Sequence, residues 1–184
     1  MSGLALVPNA ITLVRVALLP WIVPAILRQD FRLALSLCFF AGLTDALDGF
    51  SARLLKVKTA TGAYLDPIAD KLLLSAVYIS LGVVHAVPPW LVVLIFARDL
   101  VIVAGVAALM LRTSARRFPP TLIGKSSTVL QILTALAALA LPVFDPSAPA
   151  AAIQFLIILT ALVTAASGAQ YIQRGWRMWR GGPV

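Results

Sequence analysis

Long apolar stretches alternate along this chain with short polar breaks. Runs free of charged residues cover positions 72–97, 100–111, 126–144 and 146–173, punctuated by turn signals at Pro88-Pro89 and Pro146. A helix needs about 20 mostly apolar residues to cross the hydrocarbon core of a bilayer. Six segments supply that length, near residues 9–28, 31–52, 64–86, 89–111, 122–143 and 149–172. The first holds Arg15, Pro20 and Pro24, and the adjoining ends of the second and third hold aspartates. No internal repeat is evident. The pattern predicts an all-α integral membrane protein with six transmembrane helices, forming one domain over residues 1–184.

Composition agrees. Of 184 residues, 61% are hydrophobic and 12% charged, whereas a soluble domain is nearer half apolar and a quarter charged. A chain this short has too little interior to hide the excess. Disorder is excluded by the hydrophobicity, and an internal disulfide by the single cysteine, Cys38. The net charge of +8 does not point to nucleic acid, because no basic stripe or RNA-binding motif accompanies it.

The positive charges instead orient the chain. Arg53, Lys56 and Lys58 follow the second span, Arg112, Arg116, Arg117 and Lys125 lie at and after the end of the fourth, and Arg174, Arg177 and Arg180 lie in the tail. The opposite side carries Arg28 and Arg32. Ten against two places both termini in the cytoplasm. The opening lacks the basic start of a cleaved signal peptide, so the first helix is expected to be retained. Trp21, Trp90, Trp176 and Trp179 fall near the predicted interfaces, as an aromatic belt does.

The acidic residues are more informative. There is no glutamate, and four of the seven aspartates, Asp45, Asp48, Asp66 and Asp70, fall within 26 positions. Asp45 and Asp48 are three apart at the end of the second span, and Asp66 and Asp70 four apart at the start of the third, so each pair shares a helix face. A short cytoplasmic connection would bring the pairs together in one polar cavity. Four carboxylates at a membrane edge need counter-ions, and hard divalent cations with oxygen ligands are the economical solution. Mg²⁺, Mn²⁺ or Ca²⁺ fits. Zinc does not, since the lone histidine, His85, lies near the far face. Gly49 and Gly62 would allow close backbone approach to a ligand, and Arg53 would supply a cation for phosphate. The plainer alternative makes these aspartates caps and loop residues, with Asp66 capping a helix that begins at Pro67.

The full pattern, Asp45-x2-Asp48-Gly49-x2-Ala52-Arg53-x8-Gly62-x3-Asp66-x3-Asp70, resembles the signature of the CDP-alcohol phosphotransferase family. The resemblance implies a six-helix membrane enzyme, usually a homodimer, with its active site in a cytoplasm-facing cavity. Such an enzyme moves a substituted phosphate from a CDP-linked donor to an alcohol and releases CMP. Carried over by position, Asp45, Asp48, Asp66 and Asp70 are metal ligands for two divalent cations, Mg²⁺ or Mn²⁺. Asp70 is also the general base, and Gly49, Ala52, Arg53 and Gly62 approach the CDP moiety.

Acceptor candidates are the charges in later spans. Arg98 and Asp99 lie mid-span, where an unpaired charge is expensive, and Lys125 opens the fifth span. One reading has Arg98 and Lys125 hold the phosphate of an anionic acceptor. Another has Arg98 and Asp99 in a buried ion pair. The opening Pro8-Asn9-Ala10-Ile11-Thr12-Leu13-Val14-Arg15 resembles the family branch that contains phosphatidylglycerophosphate and cardiolipin synthases. The stretches Pro120–Gln131 and Leu141–Phe144, with Arg98-Asp99, are more similar to cardiolipin synthases, although Ser126-Ser127 departs from both groups. The implied partners are CDP-diacylglycerol, a lipid bilayer and an anionic alcohol, either phosphatidylglycerol or glycerol 3-phosphate. The implied setting is a bacterial inner membrane. A divalent-cation transporter would also gather intramembrane carboxylates, but near the midplane and often with repeated broken helices. A structural membrane protein would leave the aspartates unexplained.

Overall fold

The computed structural model describes residues 6–55, 60–112, 121–145, 147 and 150–179, with side chains over 14–44, 68–105, 107, 121–145, 147 and 151–177. Six helices follow one another: α1 (Leu6–Leu27), α2 (Phe31–Leu55), α3 (Ala60–Val83), α4 (Pro89–Arg112), α5 (Leu122–Phe144) and α6 (Ala150–Trp179). Each corresponds to one predicted segment. Five ends differ by three residues or more: α1 begins three residues earlier, α2 runs three residues further, α3 begins four residues earlier and ends three residues earlier, and α6 continues seven residues past the predicted end. Hydropathy reports where apolar residues stop, and helix formation does not stop there. The last turns of α6 carry Arg174 and Arg177, which complement the negative end of the helix dipole.

Two of the described helical stretches, Leu122–Phe144 and Ala151–Arg177, are long and apolar enough to cross a membrane. The chain divides into two compact units, Met1–Ala86 with Ala138–Ser147, and Val87–Ala137 with Ala148–Val184.

In the first unit α1 packs on both α2 and α3. Small residues make the close approach possible, with Ala25, Ala34, Ala41 and Ala69 all buried. Ile22, Ile26, Val77, Tyr78 and Leu81 fill the remaining core. Two helices close through left-handed residues. Gln29 has φ 58° and His85 φ 57°. The Asp30 amide donates to the Ala25 carbonyl at 2.9 Å, and the Ala86 amide to Leu81 at 2.9 Å, the six-to-one bonds that satisfy helix C-termini. Asp30 then caps α2, its carboxylate accepting from the Leu33 amide at 3.1 Å.

In the second unit α4 packs on α6, and α6 turns hydroxyls inward beside the buried Ile157 while it exposes large apolar side chains. Thr160, Thr164 and Ser167 are fully buried, while Phe155, Ile158 and Leu162 are more than half exposed. The fully buried hydroxyls of Ser127 and Thr164 share a hydrogen bond at 3.0 Å, and those of Thr134 and Thr160 one at 2.7 Å. Gln131 adds bonds to Ser127 and Thr164 at 3.2 and 3.3 Å. Positions 127, 131 and 134 on α5 thus meet 160 and 164 on α6 along one seam, each row spaced at helical intervals.

Candidate active site

The aspartate motif lies almost wholly on helix. Asp45, Asp48, Gly49, Ala52 and Arg53 belong to α2, and Gly62, Asp66 and Asp70 to α3, with residues 56–59 between the two helices. This overturns the capping alternative for Asp66: α3 begins at Ala60, so Asp66 and Pro67 lie in its second turn. On α2 the positions 45, 48, 49 and 52 recur at intervals of three and four, which is one stripe; on α3 the positions 62, 66 and 70 form another.

Depth along the helices is matched as well. At 1.5 Å per residue, Asp45 lies about 15 Å before the end of α2 and Asp70 about 15 Å after the start of α3, while Asp48 and Asp66 lie about 10 Å from those ends. A four-residue link holds the two ends within about 18 Å of each other. The side chains of Asp45, Asp48, Gly49, Ala52, Arg53, Gly62 and Asp66 lie outside the described residues. So do Lys56, Lys58, Arg116 and Arg117 and the side chain of Arg112.

Asp70 is described, and one of its partners is Arg15 of α1. The guanidinium Nη1 of Arg15 donates to Oδ1 of Asp70 in an ion pair between a 2% exposed cation and a 54% exposed carboxylate. Arg15 continues the buried stripe of α1 that holds Ile22 and Ile26, while its neighbours Val14 and Val16 are exposed. The sequence reading left Arg15 without a part in the site, although a lone arginine in an apolar span was itself a signal.

Arg98 lies in the second unit, and its guanidinium is 9% exposed and well supplied with acceptors. Nε and Nη2 donate to the Ser167 hydroxyl at 3.2 and 3.0 Å. Nη2 also reaches the Gly124 carbonyl at 3.4 Å, and Nη1 donates to Asp99 at 2.8 Å. The Tyr171 ring lies 5.9 Å from the guanidinium carbon. The ion pair with Asp99 weighed from sequence is therefore present. Arg98 fastens α4 to α6 and to the start of α5, where Thr121 caps the helix by accepting from the Gly124 amide at 2.9 Å. Lys125 follows, exposed, on the first turn of α5. Ser167 and Tyr171 were not read from sequence, and Thr121 and Gly124 only as part of the stretch Pro120–Gln131; the spacing of 160, 164 and 167 in an apolar helix is the signal that could have found Ser167.

Residues 5–167 match the CDP-alcohol phosphatidyltransferase family, and the chain belongs to that family. It is 38% identical over 185 aligned positions to the cardiolipin synthase (CMP-forming) of Rattus norvegicus, covering 92% of this chain and 61% of the relative. Against the human protein of the same name the identity is 36%, with the same coverage. The chain thus spans about three fifths of the length of these relatives. It is also 31% identical over 177 positions to the CDP-diacylglycerol--glycerol-3-phosphate 3-phosphatidyltransferase of Aquifex aeolicus, covering 94% of this chain and 97% of the relative.

Proposed function

We propose that this chain transfers the phosphatidyl group of CDP-diacylglycerol to an alcohol with release of CMP, phosphatidylglycerol being the acceptor and cardiolipin the product. The observation that carries the reading is that every position of the motif falls on α2 or α3 at helical spacing, the two aspartate pairs lying about equally far along the chain from the link between these helices. Relatives named as CMP-forming cardiolipin synthases support the acceptor.

The reading puts all six helices across a bilayer, with both termini and the α2–α3 link in the cytoplasm. The exposure of large apolar side chains such as Phe39, Val93, Leu100, Phe155 and Leu162, set against inward-turned hydroxyls on α6, supports that placement. The homodimer follows from the family resemblance.

Within the site, Asp45, Asp48, Asp66 and Asp70 would hold two divalent cations. An all-carboxylate donor set suits hard ions such as Mg²⁺ or Mn²⁺. Bound there, such ions would supply the positive charge that offsets the donor diphosphate and the departing CMP. Gly49, Ala52 and Gly62 keep the helix surfaces low enough for CDP to approach, and Arg53 gives its phosphates a cation. Asp70 takes the proton of the acceptor hydroxyl as the new phosphorus–oxygen bond forms and the bond to CMP breaks. On the acceptor side Lys125 makes the direct contact with the anion, and Arg98, whose nitrogens already have acceptors in the protein, anchors the helix start that presents it.

A second reading takes glycerol 3-phosphate as acceptor, giving phosphatidylglycerophosphate. It is favoured by the Aquifex aeolicus relative, which this chain matches over nearly its full length. CMP release from CDP-diacylglycerol by the detergent-purified protein, with each acceptor offered alone, separates the two. Turnover with phosphatidylglycerol and none with glycerol 3-phosphate is expected, and the reverse preference establishes the second reading. Absence of CMP with either acceptor, under Mg²⁺ and Mn²⁺ alike, overturns the donor assignment.

A further inference from the structure

We propose that Arg15 is a positioning residue for the transfer step, acting through Asp70. The inference rests on the reading of Asp70 as the proton acceptor and deepens it.

The geometry is asymmetric. Arg15 is 2% exposed and Asp70 54% exposed, so the cation is part of the protein interior while about half of the carboxylate side chain stays open. A pair that merely neutralised an intramembrane charge would be buried at both ends, because a half-exposed carboxylate is a poor partner for a fully desolvated guanidinium. A carboxylate that must meet a reactant has to stay open, and its geometry then has to be fixed from behind. The guanidinium suits this, being planar, permanently charged and pre-organised, and it grips Oδ1 of Asp70.

The backbone supplies rigidity. Arg15 stands on the same buried stripe of α1 as Ile22 and Ile26, and α1 packs along α3. Ala69, beside Asp70, is buried, as are Val77 and Tyr78 further along α3. The helix bearing Asp70 is therefore seated where the carboxylate emerges, and the arginine holds the side chain from the α1 side. Misplacing a reacting group by about 1 Å costs on the order of 100-fold in rate. That sets the scale expected when Arg15 is removed.

The test is a double-mutant cycle on the full-length protein in detergent, using Arg15→Gln, Asp70→Asn and both together. Readouts are kcat, the KM for CDP-diacylglycerol, Mn²⁺ binding followed by electron paramagnetic resonance, and the melting temperature. Arg15→Gln is expected to lower kcat about 100-fold, with donor KM changed less than about twofold and Mn²⁺ still bound. The double variant should be no slower than Asp70→Asn alone, because an effect exerted through Asp70 vanishes once Asp70 is gone. Arg15→Lys should recover part of kcat.

Wild-type kcat in Arg15→Gln overturns the proposal, and so do losses that multiply in the double variant. If Arg15→Gln fails to fold, Arg15→Lys carries the test: reduced kcat at an unchanged melting temperature supports the positioning role, and unchanged kcat removes it. Full turnover by Asp70→Asn would instead defeat the assignment of Asp70 as base. That outcome is distinct from an inactive Asp70→Asn beside a fully active Arg15→Gln, which defeats the role of Arg15 alone.

Discussion

Both Nε and Nη2 of Arg98 converge on the single hydroxyl of Ser167, at 3.2 and 3.0 Å. Ser167 is thus the acceptor that fixes a buried cation of α4 against α6. Ser167→Ala removes that acceptor without giving the guanidinium another, and a buried donor left unsatisfied costs about 1–3 kcal/mol. A lowered melting temperature in detergent is expected. If Arg98 also sets the acceptor side of the site, the KM for the anionic acceptor rises severalfold while that for CDP-diacylglycerol holds. Equal shifts in both would confine Arg98 to holding the helices together.

Gly124 differs from Gly42 and Gly105 in the space around it. A Cβ built on Gly124 would lie 3.0 Å from the Thr121 hydroxyl and 3.3 Å from both Arg98 Nη2 and the Tyr171 hydroxyl, whereas Gly42 and Gly105 have nothing within 4 Å. Alanine gains about 0.8–1 kcal/mol of helix propensity at any of them. At Gly124 the overpacking cost of about 1–3 kcal/mol exceeds that gain. Gly124→Ala should therefore lower the melting temperature, and Gly42→Ala and Gly105→Ala should hold or raise it. The same sign at all three positions would show that the bracket around Arg98 yields easily.

The fold was largely legible in the sequence because uncharged runs longer than a bilayer is thick admit few structures besides helices. All six helices lie where apolar length predicts them. The helix ends at the aspartates were not legible. Asp45, Asp48 and Asp66 lower the hydropathy without breaking the helix, so α2 continues to Leu55 and α3 starts at Ala60. The aspartate motif declared itself through spacing, which is a property of the chain. The partnership of Arg15 with Asp70 did not, since it joins residues 55 positions apart and depends on which faces of α1 and α3 meet. Arg98 illustrates the same limit: its charge was conspicuous, but Ser167 and the Gly124 carbonyl, the groups that hold it, are found only by packing.

The seam between α5 and α6 tests how much buried hydroxyls contribute. Thr134 and Thr160 share a 2.7 Å hydrogen bond, yet each also reaches a backbone carbonyl, Thr134 that of Leu156 at 3.5 Å and Thr160 that of Leu130 at 3.3 Å. Replacing one partner therefore leaves the other with an acceptor. Thr160→Val should cost about 0.6 kcal/mol, the average for interhelical hydrogen bonds in membranes, and not the full penalty of a stranded hydroxyl. Thermal unfolding of Thr160→Val and of the Thr134→Val/Thr160→Val pair measures it. A loss above about 2 kcal/mol in the single variant would mean that those carbonyls do not compensate.

Metal removal tests the donor set itself. Asp45, Asp48, Asp66 and Asp70 offer oxygen alone, and the one histidine of the chain, His85, lies beyond the opposite end of α3 from Asp66 and Asp70. Hard ions with oxygen preference fit such a set, whereas zinc favours nitrogen and sulfur ligands. Chelation with EDTA should abolish CMP release, with recovery on adding Mg²⁺ or Mn²⁺ and little on adding Zn²⁺. Titration with Mn²⁺ should saturate at two ions per chain. Asp48→Asn and Asp66→Asn should each weaken that binding, because removing one of a few shared carboxylates takes away both charge and a ligand. Unaltered Mn²⁺ binding in both variants would place the metal elsewhere and detach the matched depth of the two pairs from the chemistry.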